Sequence, residues 1–266
     1  MGFRMSRRIL ITGAGSGLGL MLAQRYARAG ARVACVDVVA SRADAARDAL
    51  AGDGHLALTA DVGDDASMQA MHDAAMAAWG GLDVLVNNAG IASGGPMTAT
   101  TMDEWRRIVE IDLLGVVRGC RLFLPHMLAA GRGRIVNTAS LAGLASAPGI
   151  MSYGVAKAGV VALSEQLRAE LHGSGVGVSV LCPAFFRTNL METAIADDGT
   201  RRFGQRMMDR AKDSPDQIAD RCFRGVERGD FMILPSRHSA WLWRMKRWMP
   251  GAYGRLLARM AAKMPR

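Results

Sequence analysis

The sequence predicts an α/β fold in which one seven-stranded parallel sheet is doubly wound, with helices on both faces. Three observations predict it. Short Val/Ile/Leu-rich runs recur along the chain, longer Ala-rich amphipathic stretches separate them, and no internal repeat or low-complexity linker breaks the alternation. Strands covered on both faces read as continuous apolar runs, and their alternation with helices builds parallel sheets. With 266 residues and 50% hydrophobic content, the chain is long enough to bury one substantial core.

Taken in order, the strand-like runs are ILIT (9–12), ARVACVD (31–37), HLALTADV (55–62), LDVLVNN (82–88), GRIVNTAS (133–140), VGVSVLCP (176–183) and FMILP (231–235). Helix starts carry their own marks. Ser41 precedes an Ala-rich alternation, Thr101 precedes Met102-Asp103-Glu104, and Ser214 supplies a cap with Pro215 at the first helical position.

Composition excludes several classes. No apolar run approaches the ~20 residues of a membrane span, and MGFRMSRR leads into ILIT without a signal-peptide core. A cytoplasmic protein is expected. Cys35, Cys120, Cys182 and Cys222 are widely spaced in apolar segments, which fits buried free thiols rather than a disulfide framework or zinc site. The five histidines lack ligand spacing, so no metal is expected. The formal charge of +9 is concentrated in residues 231–266, which hold eight Lys or Arg and no Asp or Glu, leaving 25 basic against 24 acidic residues before them. A near-neutral body argues against a nucleic-acid partner.

After the first strand comes Thr12-Gly13-Ala14-Gly15-Ser16-Gly17-Leu18-Gly19, a TGxxxGxG pattern between a strand and a helix. Glycines there let backbone approach a pyrophosphate at a helix N-terminus, although a flexible connection is the other reading of such a turn. The second strand ends at Asp37, about 20 residues on, where a carboxylate accepts hydrogen bonds from adenosine ribose and repels a 2′-phosphate. Val38 follows it. Arg42, a few residues later, leaves room for NADP.

In SYGVAK, Tyr153 and Lys157 are four residues apart and share one helical face. A cation beside a phenol favours the phenolate, so the pairing predicts a tyrosine pKa below its ordinary value; an isolated YxxxK also reads as a surface pair. Ser140 ends the fifth strand, at the carboxyl edge where open α/β sheets bind ligands.

Together TGAGSGLG, Asp61-Val62, Asn87-Asn88-Ala89-Gly90, Ser140, Tyr153 and Lys157 resemble the short-chain dehydrogenase/reductase family, from about Arg7 to Pro235. The resemblance implies a Rossmann-like fold and an oxidoreductase that interconverts a secondary alcohol and a ketone by hydride transfer. Tyr153 would be the general acid/base, Ser140 would orient the substrate oxygen, and Lys157 would also hold the nicotinamide ribose. NAD is expected ahead of NADP, held by Gly13, Gly15, Ser16, Gly17, Leu18, Gly19, Asp37, Asp61, Val62, Asn88, Ala89, Gly90, Tyr153, Lys157, Pro183, Phe186 and Thr188. Two departures stand out. Asp112 occupies the place of the family's usual relay asparagine, where a main-chain carbonyl role would survive the change. Pro183-Ala184-Phe185-Phe186-Arg187-Thr188 replaces a Pro-Gly pattern; the two phenylalanines also read as ordinary packing.

The reading divides the chain into a catalytic domain, 1–236, with a substrate loop at about 188–213, and a basic helical extension, 237–266. The loop's Met, Phe, Leu and Arg suit a hydrophobic substrate. In the extension, Trp241, Leu242, Met245, Trp248 and Met249 form one helical stripe with Arg237, Arg244 and Arg247 opposite; after Pro250-Gly251 come Tyr253, Leu256, Leu257, Met260 and Met264, opposite Arg255, Arg259 and Arg266. Two short amphipathic helices are expected, docked on protein or lying on an anionic membrane. A homodimer or homotetramer follows from the resemblance. The rival reading is a catalytically silent nucleotide-binding regulatory or membrane-surface scaffold protein.

Overall fold

The structure, a computed structural model, describes residues 6–191, 194–236 and 239–262. Arg237, Met264 and Arg266 of the expected tail stripes lie outside the described residues, as do two positions of the expected substrate loop, 192 and 193.

Seven strands form one parallel sheet: β1 (Arg8–Thr12), β2 (Arg32–Asp37), β3 (Leu56–Thr59), β4 (Val84–Asn87), β5 (Gly133–Thr138), β6 (Val176–Leu181) and β7 (Met232–Ile233). Six fall within the apolar runs read from the sequence, and β1 starts one residue before its run, at Arg8. Their order is β3-β2-β1-β4-β5-β6-β7, with Ile9 beside Val33 on one side and Val84 on the other. The chain reverses direction across the sheet between β1 and β4. That switch point opens a crevice at the carboxyl ends of the strands.

Period-two alternation sends neighbouring strand residues to opposite faces. Leu10, Ala34, Val36, Leu85 and Ile135 join one apolar layer with α3 (Asp65–Trp79), α5 (Gly115–Ala129) and α7 (Met151–Glu170). Ile9, Ile11, Val33, Cys35 and Val86 join the other, with α1 (Gly17–Arg28), α2 (Ala40–Asp48) and α9 (Pro215–Arg228).

Two helix starts follow the sequence signals: Thr101 caps α4 (Met102–Val109) in a capping box with Glu104, and Ser214 caps α9 in one with Gln217. Ser41 does not cap. It lies inside α2, whose N-cap is Val39. Between α4 and α5 the helix widens into one π turn, Glu110–Leu114. The remaining α-helices among the described residues are α6 (Leu141–Ala145), α8 (Asp198–Asp209), α10 (Ser239–Trp248) and α11 (Pro250–Ala261).

The two tail helices pack on α6 of the same chain, α11 through Tyr253 of its expected stripe, whereas Trp241, Trp248 and Met249 of the stripe read for α10 are exposed. Trp243 lies against the core and Lys246 and Tyr253 bond to the end of α6. Trp241 and Trp248, 61% and 77% exposed, turn outward on the side of Arg244. On α10 packing selects the face that carries Trp243 and Lys246, which a hydrophobicity stripe undervalues.

A buried polar spine crosses the first layer. Asn87 Nδ2 donates to Asn137 Oδ1 at 2.9 Å, and Asn137 Nδ2 donates to Ser164 Oγ at 3.0 Å. Gly119 of α5 lets the helix pass over it, since a Cβ there would fall 2.1 Å from Asn87 Oδ1. Gly119→Ala gains about 1 kcal/mol of helix propensity. Overpacking costs roughly 1–3 kcal/mol, and disturbing the spine adds to it. Urea unfolding should therefore show a lower midpoint for Gly119→Ala; an unchanged or higher midpoint would mean that Asn87 swings aside freely.

Candidate active site

The glycine turn and the end of β4 face each other across the switch-point crevice. Gly13 and Gly17 have φ of 65° and 54°, the left-handed region that favours glycine. A Cβ on Gly13 would meet Ala89 Cα at 2.8 Å, and one on Gly19 would meet the Gly13 carbonyl oxygen at 2.2 Å. Thr12 Oγ1 accepts from the N–H groups of Asn88 (2.9 Å) and Ala89 (3.0 Å), while Asn88 Nδ2 donates to the Thr12 carbonyl at 3.0 Å. Thr12 heads the glycine motif, yet its partners lie 76 and 77 residues away, so the sequence carries no local sign of this staple.

Asp37 ends β2 with its carboxylate turned to the same turn: Oδ2 accepts from Gly15 N and Oδ1 from Val39 N, each at 3.1 Å. Ser16 precedes α1 in an extended conformation without a side-chain cap, and the first turn of α1, with Leu18 and Gly19, holds no acidic residue. Its N–H groups are left for an external acceptor. Asp61 follows β3, exposed, and accepts from Gly63 N at 2.8 Å; Val62 is buried against Gly115. Thr188 lies near Gly17, and Phe186 is buried in the second apolar layer while Phe185 is exposed.

Two strands from the glycine turn, the end of β5 collects the other candidates. Ser140 caps α6, its Oγ accepting from Ala142 N at 3.1 Å and donating towards the Pro183 carbonyl at 3.4 Å. Tyr153 and Lys157 project from α7, with Lys157 Nζ 5.8 Å from the centre of the Tyr153 ring. The ammonium is buried; it donates to the Thr138 carbonyl and lies 3.2 Å from Asp112 Oδ2. Asp112 itself is buried at the π turn. Its Oδ1 accepts from Ile91 N at 2.8 Å, and its Oδ2 receives no well-formed hydrogen bond among the described residues. Gly90 borders the pair: a Cβ there would come within 3.1 Å of Lys157 Nζ.

The electrostatics differ from the expectation for Tyr153. Burial, which disfavours the phenolate, pushes its pKa above the ordinary value; Lys157 and the Ser140 hydrogen bond pull it down, while Asp112 and Cys182 push it up. Burial pulls Lys157 down, but the Asp112 carboxylate, with a smaller contribution from Tyr153, more than offsets this and raises it. Burial raises Asp112 despite Lys157. The lysine does favour the phenolate, as its spacing implies, but Asp112 neutralises part of that pull.

Such a sheet, with a glycine turn where β1 meets α1 and a tyrosine–lysine pair two strands away, defines a class: oxidoreductases built on the Rossmann-like fold. The chain belongs to the short-chain dehydrogenase family, whose model, described as "short chain dehydrogenase", matches residues 7–199. It is similar to a D-threitol dehydrogenase of Mycolicibacterium smegmatis, 40% identical over 191 residues that cover 71% of this chain and 74% of that protein. Among solved structures, a short-chain dehydrogenase/reductase from Burkholderia phymatum in complex with NAD superposes with a TM-score of 0.87 at 32% identity, over 93% of this chain and 95% of the other. A short-chain dehydrogenase from Sphingobium yanoikuyae in complex with NADPH gives 0.76 at 28% identity, over 98% and 96%.

The Asp112 carboxylate is the site's departure with a directional consequence. Asp112→Asn removes a negative charge that opposes ionisation of Tyr153, so phenolate should form at lower pH than in the parent. Ultraviolet titration of each protein against its own Tyr153→Phe counterpart isolates that tyrosine, and an alkaline displacement would contradict the assignment.

Proposed function

We propose that this oxidoreductase is NAD-dependent and interconverts a secondary alcohol and its ketone, with Tyr153 as general acid/base. The observation that carries the reading is the convergence of Ser140, Tyr153 and Lys157 at the carboxyl edge of β5, next to the crevice formed by the glycine turn. An uncapped α1 without early acidic residues suits a pyrophosphate, and the Asp37 carboxylate suits ribose hydroxyls. Gly13, Gly15, Ser16, Gly17, Leu18 and Gly19 would hold the phosphates, with Asp61, Val62, Asn88, Ala89, Gly90, Pro183, Phe186 and Thr188 along the remainder. The nicotinamide, when bound, supplies or accepts the hydride.

In the oxidative direction the Tyr153 oxygen takes the hydroxyl proton of the alcohol; in reduction it returns a proton to the carbonyl oxygen. Ser140 orients that oxygen by hydrogen bonding. Lys157 favours the phenolate electrostatically and holds the nicotinamide ribose. Asp112 acts through its main chain, its carboxylate serving as the lysine's counterion. Exposed Met97, Met151, Phe185 and Phe203 favour a hydrophobic substrate: Met151 opens α7, and Met97 follows the Gly95 bridge to Ile150. The scaffold alternative is not favoured, because Ser140, Tyr153 and Lys157 are all present and gathered.

NADH formation across a panel of alcohols tests the reading directly. In that assay Tyr153→Phe should lower kcat by roughly 10²–10⁴-fold while leaving NADH affinity nearly intact; near-normal turnover would remove Tyr153 from the role. Fluorescence titration should give tighter binding of NADH than of NADPH. The reverse order would transfer the preference to Arg42, whose Cβ lies close to Gly15 beside Asp37.

The outward face of the tail favours one partner besides the substrate, an anionic membrane surface. Trp241 and Trp248 are exposed there, and residues 231–266 carry no acidic side chain. Among the described residues no helix is long and apolar enough to cross a membrane, so the contact would be peripheral. Sedimentation with anionic vesicles, weakened by salt and by Trp241→Ala with Trp248→Ala, is the expected result; equal recovery in the supernatant with and without vesicles would exclude it.

A further inference from the structure

We propose that Lys246 and Tyr253, on the tail helices, are positioning residues for the candidate active site: they hold α6 against α7 and thereby fix Ser140 opposite Tyr153. The proposal rests on the roles given to Ser140 and Tyr153 above.

α6 has five residues, too few to hold a helical turn by its own hydrogen bonds. One end is Ser140 as N-cap. The other is Ser146, whose φ of 52° makes it the one non-glycine residue with positive φ among those described. That conformation is unfavourable for a residue with a Cβ and persists where the surroundings hold it. The tail provides the surroundings. Lys246 Nζ donates to the Leu144 carbonyl at 2.6 Å and to Ser146 Oγ at 2.7 Å, and the Tyr253 hydroxyl donates to the Ala145 carbonyl at 2.6 Å. These are last-turn carbonyls, which a helix cannot satisfy internally.

The middle of α6, at Gly143, lies on the backbone of α7. A Cβ on Gly143 would fall 2.5 Å from the carbonyl carbon of Lys157 and 2.7 Å from Ala158 N. α6 is therefore wedged between the helix that carries Tyr153 and Lys157 and the tail that carries Lys246 and Tyr253. Tyr253 is buried and Trp243 packs into the core, so the outer support is anchored in the body of the protein. Slackening it moves Ser140, the residue at the head of the wedge.

A merely structural tail would affect stability alone. A positioning tail also affects the ionisation of Tyr153. The groups facing that hydroxyl are Lys157 and Ser140, which favour phenolate, and Asp112 and Cys182, which oppose it. Losing the Ser140 contribution raises the pH at which the base forms, so the rising limb of alcohol oxidation moves to higher pH.

The test compares Lys246→Met, Tyr253→Phe and the double variant in the full chain, using NAD and the alcohol from the panel that yields most NADH. The double variant should fold and bind NADH within about twofold of the parent, while kcat falls about tenfold and the rising limb moves alkaline. Lys246→Arg, which keeps a cationic donor, should recover part of the loss. Parental kcat and an unmoved limb in a folded double variant would overturn the proposal. So would kcat and NADH affinity declining together with thermal stability, without recovery by Lys246→Arg. Should the double variant not fold, Tyr253→Phe, which loses one hydroxyl, carries the same comparison. Tyr153→Phe run alongside separates the two failures: activity retained there overturns the role of Tyr153, whereas activity lost there beside unaffected tail variants overturns only the positioning.

Discussion

A buried ammonium dictates much of the local architecture. Lys157 sits out of water beneath Tyr153, and an uncompensated charge in that position costs several kcal/mol. Three separate parts of the chain supply what it needs. β5 ends so that the Thr138 carbonyl accepts from Nζ, and the π turn carries Asp112 to within 3.2 Å of it. The loop after β4 stays flat at Gly90, where a side chain would press on both charges. The widened turn is consistent with this requirement, since π turns redirect a few residues within a continuing helix. Ile91 N–H fixes Asp112 Oδ1, which joins the loop after β4 to the same group.

Around that charge, side-chain hydrogen bonds lock the strand ends at which the cofactor and substrate would meet. Thr12 and Asn88 join the ends of β1 and β4, and Thr138 Oγ1 reaches Asn88 Oδ1 at 3.4 Å from β5. Deeper in the layer, Asn87, Asn137 and Ser164 connect β4, β5 and α7. Each of these amide groups donates to another strand or helix, so displacing one strand end leaves polar groups unpaired at about 1–3 kcal/mol apiece. This gives the crevice a rigid floor, while the segments above it are tied by sparser contacts such as the Ser93–Ile195 and Gly95–Ile150 bridges.

The seven strands and the capped starts of α4 and α9 were legible because each rests on local chemistry: an apolar run, a Thr or Ser cap, a proline at the first turn. Tyr153 and Lys157 were legible for the same reason, being four residues apart on one helix. Thr12 was not, because its hydroxyl is used by amides 76 and 77 residues away. Thr138 was not, because it contributes a carbonyl, which every residue has. Ser41 misled because an Ala-rich helix can begin before a good capping residue when the preceding strand already sets the chain's direction. The tail misled in α10 alone: Trp241, Trp248 and Met249 of its apolar stripe are exposed while Lys246 makes a bond that seats it, whereas Tyr253 of the second stripe is buried as expected. Period alone ranks hydrophobicity, whereas a last helical turn with free carbonyls recruits donors.

The departure at Asp112 and the tail belong to one balance. An asparagine there would leave the lysine's charge to act on Tyr153 undivided, whereas the aspartate counters it and adds its own repulsion of the phenolate. Burial already works against ionisation. With Lys157 partly neutralised, the Ser140 hydrogen bond becomes a larger share of what favours the phenolate. Ser140 in turn heads a five-residue helix whose far end is fixed from outside by a cation and a phenol. An acidic residue at the π turn thus makes the site depend more strongly on the position of α6, and so on the tail that holds it.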